Sequence, residues 1–317
     1  DLPGFSRFNL SGEGTAEWLR GQITGALPKI GRMNLAYFAD QRGRILTEMS
    51  LLRHDEDHFT LITAAAAQWH DFDVLRPAGQ AGLRLIDHTG DYSTLIVTGP
   101  QSRDLFQSLD TQADLYAPWL SHQMARVAGV DCALARVSFA GELGWEIHAA
   151  NKDIPTLYAA VIGAGAKPFG MWALNALRME KGYRAWKGDL STDYTVLQGG
   201  LDRFVKLDKP QEFPGKAALL REQQTGPTKR FVTLVIDAGD QDAPYMSTVS
   251  YKGDVVGETT SGDWGYRVNK SIAFAMVRAD LAQAGTELEV DIFGVPRHAT
   301  VQPDAPLWDP ENKRLRA

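Results

Sequence analysis

Cysteine is nearly missing from this chain: Cys132 is the only one in 317 residues. One thiol cannot build an intramolecular disulfide framework or a multi-cysteine zinc site. A reducing compartment is therefore expected, the cytoplasm or, in a eukaryote, the mitochondrial matrix. A basic surplus is missing too. Lys and Arg total 33 against 39 Asp and Glu, a net charge of −6, and no basic run stands out, which argues against a nucleic-acid partner. No apolar run approaches a membrane span and no charged-then-apolar leader opens the chain, so no membrane association is expected. Solenoid-spaced repeats and low-complexity tracts are lacking. Gly12-Glu13-Gly14 has neither the third glycine nor the preceding strand of a dinucleotide fingerprint, so these residues show no flavin site. His54 and His58 stand four apart but flank the acidic turn Asp55-Glu56-Asp57 instead of sharing a helix face, so no metal site is expected.

What is present reads as a soluble globular enzyme, with 44% hydrophobic and 23% charged residues. Its length suits two or three subdomains. Helical periodicity is expected over 13–23, 64–75, 101–109, 154–162 and 172–183, and another helix starts in the run 213–220. Strands are expected over 34–39 and 45–52, joined by an Asp40-Gln41-Arg42-Gly43 hairpin, and over 58–63 and 92–97. Thr225-Gly226-Pro227 reads as a linker. Beyond it come six short strands at near-regular spacing (231–236, 247–251, 254–260, 273–277, 287–292 and 296–301), the mark of a small β-barrel or sandwich.

Two runs place carboxylates where strands seldom tolerate them. A β-type run over 132–138 leads into Ser138-Phe139-Ala140-Gly141-Glu142-Leu143-Gly144-Trp145-Glu146-Ile147-His148. Ala140-Gly141 turns the chain. On the exit strand, alternation puts Trp145 and Ile147 on one face and Gly144, Glu146 and His148 on the other. Glu146 is either a solvent-facing residue of a half-buried strand or a paired, functional carboxylate. The second run is Gly43-Arg44-Ile45-Leu46-Thr47-Glu48-Met49-Ser50-Leu51-Leu52. Both of its faces are largely apolar, so burial on both sides is expected, with Glu48 and Ser50 on a shared face. Desolvation would raise the Glu48 pKa toward neutrality, which suits proton exchange. The alternative is a Glu satisfied in the core by an Arg or a backbone amide.

The first run resembles the tyrosine-threonine-glycine-glutamate-x-glycine-aromatic-glutamate signature of the glycine-cleavage aminomethyltransferase family. It is still more similar to the folate-binding half of dimethylglycine and sarcosine dehydrogenases. Ala173-Leu174-Asn175-Ala176-Leu177-Arg178-Met179-Glu180-Lys181 resembles a helix of those dehydrogenases, and Leu174 falls where the glycine-cleavage enzyme has an arginine. Arg178 and Glu180, two apart on that helix, are otherwise read as structural. Lys181-Gly182-Tyr183 lacks the cysteine of the iron–sulfur-associated folate proteins. Residues 1–8 resemble the family's opening strand without the helix that precedes it, as in a trimmed chain or the C-terminal part of a longer one.

The resemblance implies an α+β cloverleaf: two interleaved α/β subdomains that bind folate over 1–222, and a C-terminal β-barrel over 228–310. It implies tetrahydrofolate as cofactor, and FAD only if a flavin domain lies upstream, linked or associated. Glu146 would bind the pterin, whose amino edge can offer a carboxylate two parallel N–H bonds. Glu48, where the glycine-cleavage enzyme has its essential aspartate, would be the catalytic residue, as proton acceptor or positioner. Ser50 and Thr63 match positions near the folate. Phe139 replaces a tyrosine and would wall the pocket. Trp264 and Tyr266 match a barrel loop near the site, packing on the aminobenzoate ring or simply in the core. The implied reaction is one-carbon transfer in N-methyl amine demethylation, forming 5,10-methylenetetrahydrofolate. Two alternatives stay open. One is a stand-alone demethylase of a sulfonium, ammonium or methoxy donor, with Trp145, Trp186 and Trp264 as candidates for an aromatic cage. The other is a folate-binding module that no longer catalyses.

Overall fold

The computed structural model describes residues 4–317; Asp1, Leu2 and Pro3, within the segment likened to an opening strand, lie outside them. The strands are β1 (Phe5–Ser11), β2 (Met33–Ala39), β3 (Ile45–Arg53), β4 (His58–Ala64), β5 (Arg84–Asp87), β6 (Tyr92–Thr98), β7 (His122–Val127), β8 (Val130–Ala135), β9 (Gly144–Ala150), β10 (Lys229–Ile236), β11 (Thr248–Tyr251), β12 (Asp254–Gly265), β13 (Lys270–Arg278), β14 (Glu287–Ile292) and β15 (Val295–Val301). The helices are α1 (Thr15–Arg20), α2 (Gln68–Leu75), α3 (Pro77–Gln80), α4 (Ser102–Ser108), α5 (Ile154–Gly163), α6 (Met171–Glu180) and α7 (Lys216–Thr225). Among the described residues no helix is long and apolar enough to cross a membrane.

Two antiparallel sheets, ordered β2-β3-β4-β1-β5 and β6-β9-β8-β7, form the first part of the chain. Period-two alternation explains how they stack. One face of the first sheet (Phe8, Leu10, Met49, Leu51, Phe59, Leu61) packs on Leu19 of α1, Leu75 of α2 and Ala78 of α3. One face of the second (Leu95, Val97, Leu134, Trp145, Ile147) packs on Phe106 of α4 and Leu157 and Val161 of α5. The remaining faces meet each other, with Met33, Leu52 and Ile62 against Ala135. The layers are thus helix, sheet, sheet, helix, and the two inner faces are where a site can form.

All six strands expected beyond the linker form, and they close into a barrel in the order β10-β13-β12-β11-β14-β15 around Leu234, Val249, Ala275, Val290 and Ala299. The mixed α/β fold with a closed barrel is the expected cloverleaf. Three expectations shift. The helix expected over 13–23 runs only over Thr15–Arg20, between Gly14, whose left-handed backbone (φ 88°) starts it, and Gly21. The strand expected over 132–138 ends at Ala135, where the chain leaves the sheet to turn at Gly141. Strands β5 and β7 were not expected at all, because their short, mixed sequences carry little alternation.

The helix α6 packs on β12 and β13 of the barrel. Arg178 donates to Asp189 (2.5 Å), Ser261 (2.7 Å) and Asn175 (2.8 Å), and Asn175 donates to Asp263 (2.7 Å). The Glu180 carboxylate, 1% exposed, accepts the Arg267 guanidinium and, at 2.6 Å, its backbone N–H. Arg178 and Glu180 therefore clamp the helix to the barrel, which is the structural role their spacing indicated.

Candidate functional site

Glu48 and Glu146 project into the space between the facing sheets. Residues directly opposite in antiparallel pairs share a face. In the first sheet the inner face carries Tyr37 opposite Glu48, Leu35 opposite Ser50, and Ile62 opposite both Ser50 and Arg7. In the second it carries Ile96 and Ala135 opposite Glu146, and Thr94 and Ala133 opposite His148. The alternation expected on β9 is observed, with Trp145 and Ile147 in the core and Glu146 and His148 inward.

The neighbours of Glu48 decide its chemistry. The Tyr37 phenol donates a hydrogen bond to its Oε2. The carboxylate is only half-buried by accessibility, yet its pKa is pushed up to about 7. Both follow if it lines an enclosed concavity instead of open surface. Burial is the main cause; the Tyr37 hydrogen bond and the Arg184 charge act the other way and hold the value down. Arg184 is half-buried, lies with its guanidinium 4.0 Å from the Phe231 ring centre, and among the described residues its Nε has no partner. Burial on both sides, expected from the apolar pattern, holds for the helix-facing side of β3, whereas Glu48 and Ser50 retain access to the cleft.

Glu146, 9% exposed, stands beside His148, whose Nε2 lies 3.2 Å from Glu146 Oε2. The turn that delivers it depends on Gly141, which has φ 73° and whose Cβ would come within 2.8 Å of the Lys181 side chain. Glu142, the first acid of the run, is a strut. It accepts from Arg267 Nη1 (2.9 Å) and Trp308 Nε1 (3.1 Å), tying the turn to the barrel and to the chain beyond it.

The other expected residues are distributed unevenly. Phe139 stacks on Tyr183 with centroids 5.9 Å apart and planes 13° apart. Thr63 lies one residue beyond Ile62, on the helix-facing side. Its hydroxyl contacts Asp71 of α2 and the Glu48 carbonyl oxygen (3.2 Å), so it braces the strand that bears Glu48. Trp264 is half-buried on β12, one pleat away from Asp263, which faces α6, and Tyr266 is 77% exposed. Among the described residues no ring contact or hydrogen bond joins either to Glu48 or Glu146. Trp145, a cage candidate by residue type, is 1% exposed and packs edge-on against Phe106 at 5.1 Å, which corrects that expectation. His54 lies 4.7 Å from the His58 ring and binds Thr60 Oγ1 at 2.8 Å. No group of three or more potential ligands among the described residues is arranged for a metal ion.

Tyr37, Arg184 and Arg7 had not been anticipated. The hairpin register hid Tyr37, because a bulge between Phe38 and Ala39 sets it opposite Glu48; the signal for Arg7 lay in a polar residue on the inner pleat of β1. Arg184 had no local signal. A cavity of about 920 Å³ lies at the edge strand β6, between Gln101 and Ser102 and the segment 167–171, and contains neither glutamate. It is lined by Leu95 to Thr98 of β6, of which only Ile96 and Thr98 lie on the inner face, so it is a neighbouring space and the residues between the sheets remain the better candidate.

Comparison with known proteins agrees with this geometry. The GCVT N-terminal domain matches residues 1–209 and the glycine cleavage T-protein C-terminal barrel domain matches 229–309. Mitochondrial dimethylglycine dehydrogenase of Rattus norvegicus is 33% identical over 100% of this chain, which spans 38% of that protein. An aminomethyltransferase of Geobacillus thermodenitrificans is 29% identical over 96% of this chain and 85% of its own. The crystal structure of the glycine cleavage system aminomethyltransferase T from Bartonella henselae, at 23% identity, superposes with a TM-score of 0.90, covering 98% of this chain and 86% of that one. The helix–sheet–sheet–helix layers, the closed barrel and the family matches agree: the chain belongs to the glycine cleavage T-protein family of folate-dependent aminomethyltransferases.

Proposed function

We propose that this chain binds tetrahydrofolate between its facing sheets and carries out the one-carbon transfer of a dimethylglycine- or sarcosine-type demethylation. One observation carries the proposal: a carboxylate poised near neutrality, Glu48, projects into the same space as a second carboxylate, Glu146, from the opposing sheet. The residues suit the ligand. Glu146 can accept a pair of N–H bonds from an amino-pterin edge, and the Phe139–Tyr183 stack offers a flat apolar wall.

Bound tetrahydrofolate supplies the nitrogens that take up the carbon as 5,10-methylenetetrahydrofolate. Glu48 then has a defined task. Tyr37 occupies Oε2, so Oε1 would be the oxygen free to take up the proton that a ligand nitrogen loses on bonding to the carbon and to return it to the donor amine nitrogen as its own bond to that carbon breaks. A pKa of about 7 leaves a useful fraction ionised at neutral pH and makes proton return equally easy. Ser50, on the same face, is a further hydrogen-bonding group toward the ligand, and Thr63 supports Glu48 from behind. The facing sheets contribute proximity and exclusion of water. The chain spans 38% of the rat dimethylglycine dehydrogenase it matches; a flavin-bearing partner that oxidises the N-methyl amine to an iminium belongs to the same proposal.

Calorimetric titration with tetrahydrofolate, beside Glu146→Ala, is the test. Micromolar binding abolished by the substitution supports the site; equal binding by both proteins would place folate elsewhere. Glu48→Gln should keep folate affinity while transfer of formaldehyde-level carbon falls about a hundredfold or more. Unchanged turnover would remove the proton-transfer role.

A further inference from the structure

Behind Glu146 lies a buried polar chain that the chemistry above leaves unused. His148 is 1% exposed and extends from β9 on the Glu146 side. Its Nδ1 meets Arg7 Nη2 at 2.5 Å, reaching across from β1 of the facing sheet, and Thr94 Oγ1 at 2.9 Å. A guanidinium can only donate, so Nδ1 must offer a lone pair. The neutral ring therefore carries its proton on Nε2. Burial lowers the ring's pKa, and the contact with Glu146 opposes this only in part, so the neutral form is the one that persists. Arg7, its guanidinium 5.3 Å from the Tyr92 ring centre, is lowered by burial to about 10 and stays charged at neutral pH.

The Nε2–H lies 3.2 Å from Glu146 Oε2 but off the line of a good hydrogen bond, and it has no other partner among the described residues. Rotation of the Glu146 carboxylate about its last, soft torsion aligns the two. On the folate assignment above, we propose that His148 is a positioning residue: its Nε2–H, locked by Arg7 and Thr94, sets the plane in which the Glu146 carboxylate meets the amino-pterin edge. The stereochemistry allows both contacts together. Each carboxylate oxygen has two lone pairs; a bidentate contact uses one on each oxygen, and His148 takes the second on Oε2. Without that third bond the carboxylate samples orientations that satisfy only one of the two ligand N–H groups. The same reasoning applies to side chains that orient metal ligands through a second hydrogen bond.

The test uses the whole chain and tetrahydrofolate in calorimetric titration. His148→Phe keeps the ring volume and removes both nitrogens; affinity should fall by about tenfold or more, the loss of one charge-assisted hydrogen bond. Because that change also strands Arg7, His148→Gln is measured beside it. Its amide can return a donor toward Glu146, so affinity should recover to within about threefold. Damage to the fold alone would weaken binding whatever stands at position 146. In a Glu146→Gln background, His148→Phe should therefore cause no further loss, and an additive loss there overturns the inference. If the unaltered protein fails to bind tetrahydrofolate, the folate assignment fails and the pairing is read separately from the nitrogen NMR signals of His148. An Nε2–H tautomer whose signal moves on Glu146→Gln upholds the pairing. An Nδ1–H tautomer, or a signal indifferent to that substitution, overturns it.

Discussion

The Tyr37 phenol donates to Oε2 of Glu48 from the position directly opposite on the neighbouring strand. The pair sets the acidity of the carboxylate in the middle of the cleft. A hydrogen bond to the ionised form holds a carboxyl pKa down, so Tyr37 opposes the desolvation that raises it. Tyr37 pays for this by burial of its own hydroxyl, and its pKa stands well above the ordinary phenol value.

Tyr37→Phe is expected to raise the Glu48 pKa by about one unit, since a hydrogen bond to a charged group contributes about 1.5 kcal/mol or more. The acidic limb of the kcat/KM profile for carbon transfer should move to higher pH by that amount. A limb that stays in place would separate Tyr37 from the ionisation of Glu48.

Glu48→Gln should stabilise the fold in a pH-dependent way. The folded pKa, about 7, lies above the ordinary carboxyl value of 4.5. The folded protein thus binds more protons than the unfolded chain between those two values, and the stability contributed by this group falls as pH rises through that window. At pH 8 the parent holds a buried charge that Gln lacks. The variant's gain in Tm should be largest there and shrink below pH 5. Equal Tm differences at pH 5 and pH 8 would contradict the raised pKa.

Thr63→Val separates support from ligand contact. Its hydroxyl contacts Asp71, which is fully buried, so loss of the contact should cost about 1–3 kcal/mol in denaturant unfolding. Tetrahydrofolate affinity should stay within about threefold of the parent. A large loss of affinity at unchanged stability would mean that the threonine touches the ligand.

Arg267→Ala removes the shared partner of Glu180 and Glu142. Glu180 is left buried with an uncompensated charge, which costs about 3–5 kcal/mol. Urea unfolding should show that loss. Arg267→Ala combined with Glu180→Met should recover most of it, because a well-packed apolar pair often replaces a buried ion pair at little cost. Failure to recover would place the loss in the Glu142 contact.

Much of this protein is written locally. Six strands beyond the linker were legible because antiparallel strands with one buried face alternate in sequence, and their turns are marked by glycine and asparagine. The inward direction of Glu146 and His148 followed from the pleat alone. The face shared by Glu48 and Ser50 followed in the same way. The family signature around residues 138–148 added the ligand class, which no periodicity contains.

Contacts between segments distant in the chain were decided only by the tertiary structure. A β-bulge between Phe38 and Ala39 shifts the hairpin by one residue and puts Tyr37 opposite Glu48. Counting outward from the turn without the bulge would have put Ala36 there. Thr63 is one pleat from the inner face, a step too small to call from composition but enough to exchange a ligand contact for a brace on Asp71. Arg7 and His148 are 141 residues apart and meet because two sheets stack on their inner faces. Side-chain periodicity is a property of one strand and survives in the sequence. Register across a bulge and the stacking of two sheets depend on packing energies summed over many residues, and only the folded chain expresses them.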